Sequence, residues 1–334
     1  MIADVIRKAA DGRDLSPEEA NGAMTEIMEG QASPVQISAF LVAMRMKGET
    51  VEEVTEFTRV MREHVRSVKP TARPLVDTCG TGGDAIKTFN VSTAAAFVAA
   101  GAGVAVAKHG NRSVTSKCGS ADVLEALGIR FDLPPEEVAR CVDEIGLGFM
   151  FAPSYHPAMK HAMPIRRELG LRTVFNMLGP LTNPAGAEGQ VLGVYSPELT
   201  ELHAGVLRNL GSSRAFVVHG AGGLDELSTL GETRVTELRD GELETYDVAP
   251  EHVGLARAAG PEQLQGGAPQ ENADLLVQVL EGDKGPARDI VLLNAAAAIA
   301  AGGKADTLKE AVPIAAESID SGAALDKLRQ LQAI

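Results

Sequence analysis

The sequence predicts an α/β protein, with a small helical N-terminal domain over residues 1–70 and a larger α/β domain over residues 71–334 built on a central, mostly parallel sheet. Three observations carry this prediction. Residues 1–70 repeat a cap-then-helix pattern, the chain from Leu75 alternates short apolar runs with helical runs, and the stretch from about Asn272 onward is helical and Ala-rich. Strands that alternate with helices pair in parallel, because the crossover helix returns the chain to the same end of the sheet.

The elements follow in order. Ser16-Pro17-Glu18-Glu19 is a capping box with Pro at the first helical position, and Ser33-Pro34 repeats the cap-then-Pro signal. Ile37, Phe40, Leu41 and Met44 then share one helical face before Gly48 ends the run. Thr50 with Glu53 opens a further helix whose apolar stripe is Val54, Phe57, Met61 and Val65, and Lys69 to Pro74 reads as a linker. Leu75-Val76-Asp77 is a short strand running into a glycine-rich loop. Val91 to Ala100 suits a helix, Gly103 to Ala107 a buried strand, and Asp122 to Leu127 a helix stopped by Gly128. Later strands are expected at Val191 to Tyr195 and at Ala215 to His219. Asp240-Gly241 makes a hairpin turn between two polar strands.

Composition narrows the function. With 45% hydrophobic and 23% charged residues the chain is globular, and with 4% aromatics and 35 glycines its core must be Ala, Val, Leu and Ile joined by tight turns. A net charge of −14 argues against nucleic acid or an anionic membrane as partner, since a polyanion needs a basic field. A small anionic substrate then requires positive charge and metal concentrated at one place. Cys79, Cys118 and Cys141 form no C-x-x-C pair and are odd in number, which suits free thiols in a reducing cytoplasm. The first residues carry charges and no apolar h-region. The weakly polar stretch from Val91 to Ala107 falls short of the roughly 20 apolar residues that span a bilayer.

Four segments carry chemistry. In Asp77-Thr78-Cys79-Gly80-Thr81-Gly82-Gly83-Asp84, after a strand, glycines let backbone N–H groups approach an anion, although an ordinary tight turn uses glycine in the same way. Asn90-Val91-Ser92-Thr93 opens the Ala-rich helix, where hydroxyls and free N–H groups hold phosphate and Ser92 can face a metal; simple capping explains the same residues. Lys108-His109-Gly110-Asn111-Arg112-Ser113-Val114-Thr115-Ser116, followed by Gly119-Ser120-Ala121-Asp122, ends a buried strand in a density of phosphate-type donors that solvation does not explain. Asp225 and Glu226, in the glycine loop Gly222-Gly223-Leu224, form a carboxylate pair suited to a hard cation. Adjacent carboxylates are usually solvated, but beside three phosphate-type loops the magnesium reading is preferred.

In this order, these motifs resemble the anthranilate phosphoribosyltransferase family. The resemblance extends to Arg172-Thr173-Val174-Phe175-Asn176, to Gly179-Pro180-Leu181-Thr182-Asn183-Pro184 and to Asn272-Ala273, and so covers essentially the whole chain. It implies a nucleoside phosphorylase/phosphoribosyltransferase-like fold, helices near residues 164–185 returning to the small domain, and a homodimer formed through the helical part. It implies transfer of phosphoribosyl from phosphoribosyl pyrophosphate to anthranilate in tryptophan biosynthesis. Around the donor it places Gly80, Gly83, Asp84, Thr88, Asn90, Val91, Ser92, Thr93, Lys108, His109, Gly110, Asn111, Arg112, Ser113, Val114, Thr115, Ser116 and Ser120. Gly80, Asn111 and Arg166 would contact anthranilate, and Ser92, Asp225 and Glu226 would serve Mg2+. Thr115 and Cys118 stand where serine is common. No general base is evident; His109 is open to that role or to a positional one. A pyrimidine nucleoside phosphorylase shares the architecture, but the Arg166 region and the Asp225-Glu226 pair favour the pyrophosphate donor. A non-catalytic relative that binds nucleic acid should show a basic surface and eroded phosphate motifs, and this chain shows neither.

Overall fold

The structure is a computed structural model that describes residues 1–83, 86–113 and 117–334. Four helices come first: α1 (Ile2–Ala10), α2 (Pro17–Met28), α3 (Pro34–Lys47) and α4 (Val51–Glu63). Ser16, Ser33 and Thr50 each close a reciprocal capping box, with Glu19, Gln36 and Glu53, which pairs N–H groups that a helix start leaves without partners. The apolar faces meet in one buried cluster, where Phe40 and Phe57 pack edge to face with ring centroids 5.6 Å apart. Glu53 lies inside this bundle but accepts from the Leu15 N–H at 2.8 Å and from Lys47 Nζ at 2.9 Å, so its charge is paired where it is buried.

The larger domain runs β1 (Leu75–Gly80), α5 (Val91–Gly101), β2 (Ala105–Gly110), α6 (Ser120–Ala126), α7 (Pro135–Glu144) and β3 (Leu147–Phe151). The chain then leaves the sheet through α8 (Ala152–Tyr155), α9 (Met163–Leu169) and α10 (Phe175–Leu178). Ile165, Val174, Phe175, Met177, Leu178 and Leu181 from this excursion share the buried cluster of the first four helices. It returns as β4 (Gly189–Gly193), α11 (Leu199–Asn209), β5 (Arg214–Gly220), β6 (Thr233–Arg239) and β7 (Glu242–Val248), and ends in α12 (Pro269–Leu280), α13 (Pro286–Ala301), α14 (Leu308–Asp320) and α15 (Ala323–Gln332). Ala-rich α5 and α13 lie side by side, their small side chains permitting close approach.

The strand order is β3-β2-β1-β4-β5-β6-β7; the first five strands are mutually parallel and the last two antiparallel. The predicted class therefore holds: a small helical N-terminal domain and a larger α/β domain with a mostly parallel sheet. Asp240 and Gly241 turn the β6–β7 hairpin with φ of 52° and 85°, the left-handed pair that such a turn requires. Several bounds shift: β1 runs on to Gly80, where it pairs with Gly193, α6 begins at Ser120 rather than Asp122, and β4 ends at Gly193 rather than Tyr195. β2 extends to Gly110 because it pairs with β3 from Val106 through Gly110, so Lys108 and His109 belong to the strand rather than to the loop after it. β4 starts at Gly189 rather than Val191, where pairing with Val76 begins. The chain winds from β1 out to β3 and comes back to β4 on the other side of β1. A crevice opens at the carboxyl ends of strands flanking such a reversal.

Candidate active site

The predicted segments converge in that crevice. After β1, Gly82 and Gly83 take φ of 73° and 90°, and the Gly82 N–H donates to Asp225 Oδ2 at 2.7 Å. After β5, Gly222 and Gly223, also left-handed, swing the chain back so that Asp225 and Glu226 face α5. Glu226 Oε1 accepts from the Ser92 N–H at 3.2 Å and Oε2 from the Thr88 hydroxyl at 3.3 Å. The carboxylate pair thus touches two separate phosphate-type loops. Beneath it passes β4, where a Cβ on Gly193 would lie 1.4 Å from the Asp225 carbonyl oxygen, so only glycine allows this approach. Asn294 of α13 holds the following residue in place. Its Oδ1 accepts from the Leu227 N–H at 3.0 Å and its Nδ2 donates to the Leu227 carbonyl at 2.8 Å.

Two carboxylates and the Ser92 hydroxyl are hard oxygen donors. No group of three or more His, Cys, Asp or Glu side chains that could hold a metal occurs among the described residues. A cation here must complete its shell with substrate oxygens and water, the habit of Mg2+ bound beside phosphate. The residues present fit that ion.

Lys108 supplies the buried positive charge. Its Nζ donates to the Thr78 carbonyl and lies 3.4 Å from both Thr78 Oγ1 and Ser92 Oγ. On the neighbouring strand, buried Asp77 accepts from the His109 N–H at 3.0 Å and from Asn183 Nδ2 at 2.8 Å. Burial pushes the Lys108 pKa down and the Asp77 pKa up, and their mutual attraction opposes both shifts. Thr93 adds a buried hydroxyl in the first turn of α5 with no hydrogen-bond partner among the described residues. Asn90 is more than a cap. Its side chain makes no capping bond but accepts from Asn272 Nδ2 at 2.9 Å and from the Cys118 thiol at 3.2 Å. Burial pushes that thiol up to about 11, so it remains a protonated donor.

His109 is held as a neutral, weakened base. Its Nε2 lies 3.1 Å from Nε2 of His156, and its pKa is lowered to about 3, by burial first and then by His156. Burial lowers His156 to about 4. Both rings are neutral near pH 7, one donating to the other. An unfolded chain takes up these protons below the ordinary value of 6.5, whereas the folded chain holds out to about 3 to 4, so the pair's contribution to stability is complete above 6.5 and declines as pH falls.

On the β2–α6 side, the Ser120 hydroxyl donates to the Asn111 carbonyl at 3.2 Å, and Asp122 accepts from the Ser113 and Gly119 N–H groups at 3.0 and 2.8 Å. The Arg112 guanidinium is engaged by Asp122 at 2.7 Å and Glu125 at 2.9 Å, turned to the exposed flank of α6 rather than to the carboxylate pair. Gly110 is constrained because a Cβ there would meet Ser120 Oγ at 2.3 Å. Asp84, Val114, Thr115 and Ser116 lie outside the described residues. Arg166 stands apart on α9, half-buried over the Phe175 ring at 5.3 Å, and hydrogen-bonds to neither Gly80 nor Asn111. Its pKa is lowered by burial, but a guanidinium stays charged.

Sequence reading passed over Gly193, Asn294, His156 and the active-site role of Asp77 and Arg172. Only Asn294, a lone amide in the apolar run Leu292-Leu293-Asn294-Ala295, carried a local signal. Arg172 Nη2 donates to the Gly83 carbonyl at 3.3 Å, and a Cβ on Gly83 would lie 2.5 Å from that nitrogen. Gly83→Ala therefore combines about 1 kcal/mol of left-handed strain with displacement of the Arg172 guanidinium from the Gly83 carbonyl. It is expected to weaken donor binding at least tenfold while thermal melts move little, because no core contact changes. Calorimetric titration beside the melts checks this; normal donor affinity would make the loop only a turn.

Comparison with known proteins gives this crevice a class. Residues 3–65 match the family model described as the helical bundle domain of a glycosyl transferase family, and residues 72–325 match that family's a/b domain. Anthranilate phosphoribosyltransferase of Symbiobacterium thermophilum is 57% identical over 98% of this chain and 96% of its own length. That of Moorella thermoacetica is 57% identical over 100% and 98%. The crystal structure of the Thermus thermophilus enzyme superposes with a TM-score of 0.94 at 50% identity, covering 99% of this chain and 98% of that one. The Saccharomyces cerevisiae enzyme in complex with PRPP and Mg superposes at 0.89 with 32% identity, over 99% and 97%. The chain belongs to this glycosyl transferase family and, within it, to the anthranilate phosphoribosyltransferases.

Proposed function

We infer that this chain performs the reaction of its family: the C1–oxygen bond of phosphoribosyl pyrophosphate breaks, a bond forms from C1 to the amine nitrogen of anthranilate, and pyrophosphate and the amine proton leave, in tryptophan biosynthesis. The observation that carries it is the clasp of Asp225 and Glu226 onto the Gly82 and Ser92 N–H groups, which joins a cation site to two phosphate-type loops. Mg2+, when bound there with Asp225, Glu226 and Ser92, neutralises pyrophosphate charge. Lys108 and the N–H groups of the glycine loop and of the α5 N-terminus act on the same charge once the Gly82 and Ser92 N–H groups exchange Asp225 and Glu226 for phosphate oxygens.

The donor is assigned to Gly80, Gly83, Asp84, Thr88, the run from Asn90 to Thr93, the run from Lys108 to Ser116, and Ser120. Gly80, Asn111 and Arg166 are assigned to anthranilate. His109, committed to His156 and neutral, orients rather than accepts the proton. The amine of anthranilate is nucleophilic when held against C1, so positioning supplies much of the rate. Consumption of anthranilate that requires both the donor and magnesium is the test; consumption independent of the donor would overturn the reading.

Arg166→Ala separates acceptor from donor. Loss of a charge-assisted contact to the anthranilate carboxylate, worth about 1.5–3 kcal/mol, should raise the anthranilate KM by roughly ten- to a hundredfold and the donor KM much less. A rise in the donor KM alone would reassign the residue.

The reading extends to assembly and place. Val35, Ala39, Val42 and Met46 line one face of α3, with Val35 and Met46 78% and 83% exposed, an apolar stripe that a second copy would cover in a homodimer. Sedimentation at micromolar concentration tests this. Residues 1–70 with the helices near 164–185 make up the small domain, and the buried cluster they share continues onto β4, α11, β5 and β6 of the larger domain. The thiols of Cys79, Cys118 and Cys141 support a cytoplasmic enzyme, and no helix among the described residues is long and apolar enough to cross a membrane.

A further inference from the structure

We propose that Arg172 is a positioning residue that couples the acceptor side of the crevice to the donor loop. The proposal rests on the reading of Gly80-Thr81-Gly82-Gly83 as the pyrophosphate loop. Gly82 and Gly83 bring no side chains of their own to anchor that end of the loop, and Arg172 provides an anchor from outside. Its Nη2 donates to the Gly83 carbonyl at 3.3 Å. The guanidinium carbon sits 4.4 Å from the centroid of the Tyr195 ring, just past the end of β4. The Tyr195 N–H in turn donates to Thr81 Oγ1 at 3.1 Å, so ring and loop are tied together independently of the arginine. Holding the Gly83 carbonyl fixes the glycine whose left-handed φ of 90° shapes the loop.

The other end of the connection is the short segment that carries Arg172. Six residues before it stands Arg166, and three after it Phe175, whose ring supports the Arg166 guanidinium. Arg45 of α3 donates to the Arg172 carbonyl and fixes the segment to the helical domain. A ligand that settles Arg166 therefore settles the segment from which Arg172 reaches the loop. Coupling of this kind is reciprocal: anthranilate tightens pyrophosphate as much as pyrophosphate tightens anthranilate. Planarity is required to stack on Tyr195 and reach Gly83 together, and lysine lacks it.

Magnesium pyrophosphate with anthranilate is an unreactive pair, having no ribose to transfer, and its binding is read by calorimetry. The wild type should bind magnesium pyrophosphate about fivefold or more tighter with anthranilate present. Arg172→Ala should weaken pyrophosphate about tenfold and lose the anthranilate response with an unchanged melting temperature, since the side chain is exposed. Arg172→Lys should not rescue it, whereas Tyr195→Phe, which keeps the ring, should resemble the wild type and Tyr195→Ala should resemble Arg172→Ala. An Arg172→Ala protein with wild-type pyrophosphate affinity or the wild-type response overturns the coupling, as does a wild type without the response. A wild type that fails to bind magnesium pyrophosphate overturns the donor-loop reading beneath it.

Discussion

Asp225→Asn combined with Glu226→Gln is expected to reduce kcat/KM at limiting magnesium by about a hundredfold or more, because charge stabilisation through a metal is worth several kcal/mol and each 1.4 kcal/mol is tenfold. The fold should survive. The amides keep the size of the carboxylates and retain carbonyl oxygens to accept from the Gly82 and Ser92 N–H groups and the Thr88 hydroxyl. What they lose is negative charge, and with it affinity for the cation. Excess magnesium should restore part of the rate. Kinetics over a magnesium series on the folded double variant decide the point; wild-type activity at low magnesium would sink the metal assignment.

Gly193→Ala is expected to do comparable damage with no change in any polar group. An added Cβ would sit 1.4 Å from the Asp225 carbonyl oxygen, where an ordinary contact is 3.4 Å or more. The strand has little freedom to yield, since Gly193 is paired with Gly80 on one side and Val218 on the other. The carboxylate loop must therefore move by roughly 2 Å, beyond the 1 Å misplacement that costs about a hundredfold in rate. Overpacking of this kind also lowers stability by about 1–3 kcal/mol. The variant should melt several degrees early, bind magnesium poorly and still be folded by circular dichroism. A Gly193→Ala protein with normal magnesium dependence would show that the loop relaxes without loss of function.

The two variants mark where sequence reading stops. Asp225 and Glu226 are visible as a carboxylate pair beside glycines because their chemistry is local. The significance of Gly193 comes from a contact with a residue 32 positions away, and among 35 glycines nothing in the chain singles it out. Asn183 is similar. It is one residue of a quoted motif, yet its amide bridges Asp77 and the Ala107 carbonyl, welding β1 to β2 from a third segment. His109 shows the limit from another side. Imidazole chemistry alone left it open as a base or a positional group, and only the fold shows it buried against His156, which weakens it as a base.

The amino-acid sequence by itself determined the helical start, through the boxes at Ser16, Ser33 and Thr50, and the parallel α/β body, through short apolar runs separated by helices. It also determined the glycine, hydroxyl and cation motifs. Each of these is written in residues close together in the chain, where capping, periodicity and backbone freedom act. Tertiary structure alone decided that β2 carries Lys108 and His109 into the sheet, that Arg112 turns to Asp122 and Glu125, and that Arg172 reaches the Gly83 carbonyl. In these cases the outcome depends on which partner a side chain meets across the fold. The reversal of the sheet at β1 and β4 brings segments near residues 80, 92, 108 and 225 to one crevice, and no local preference in the chain encodes that meeting.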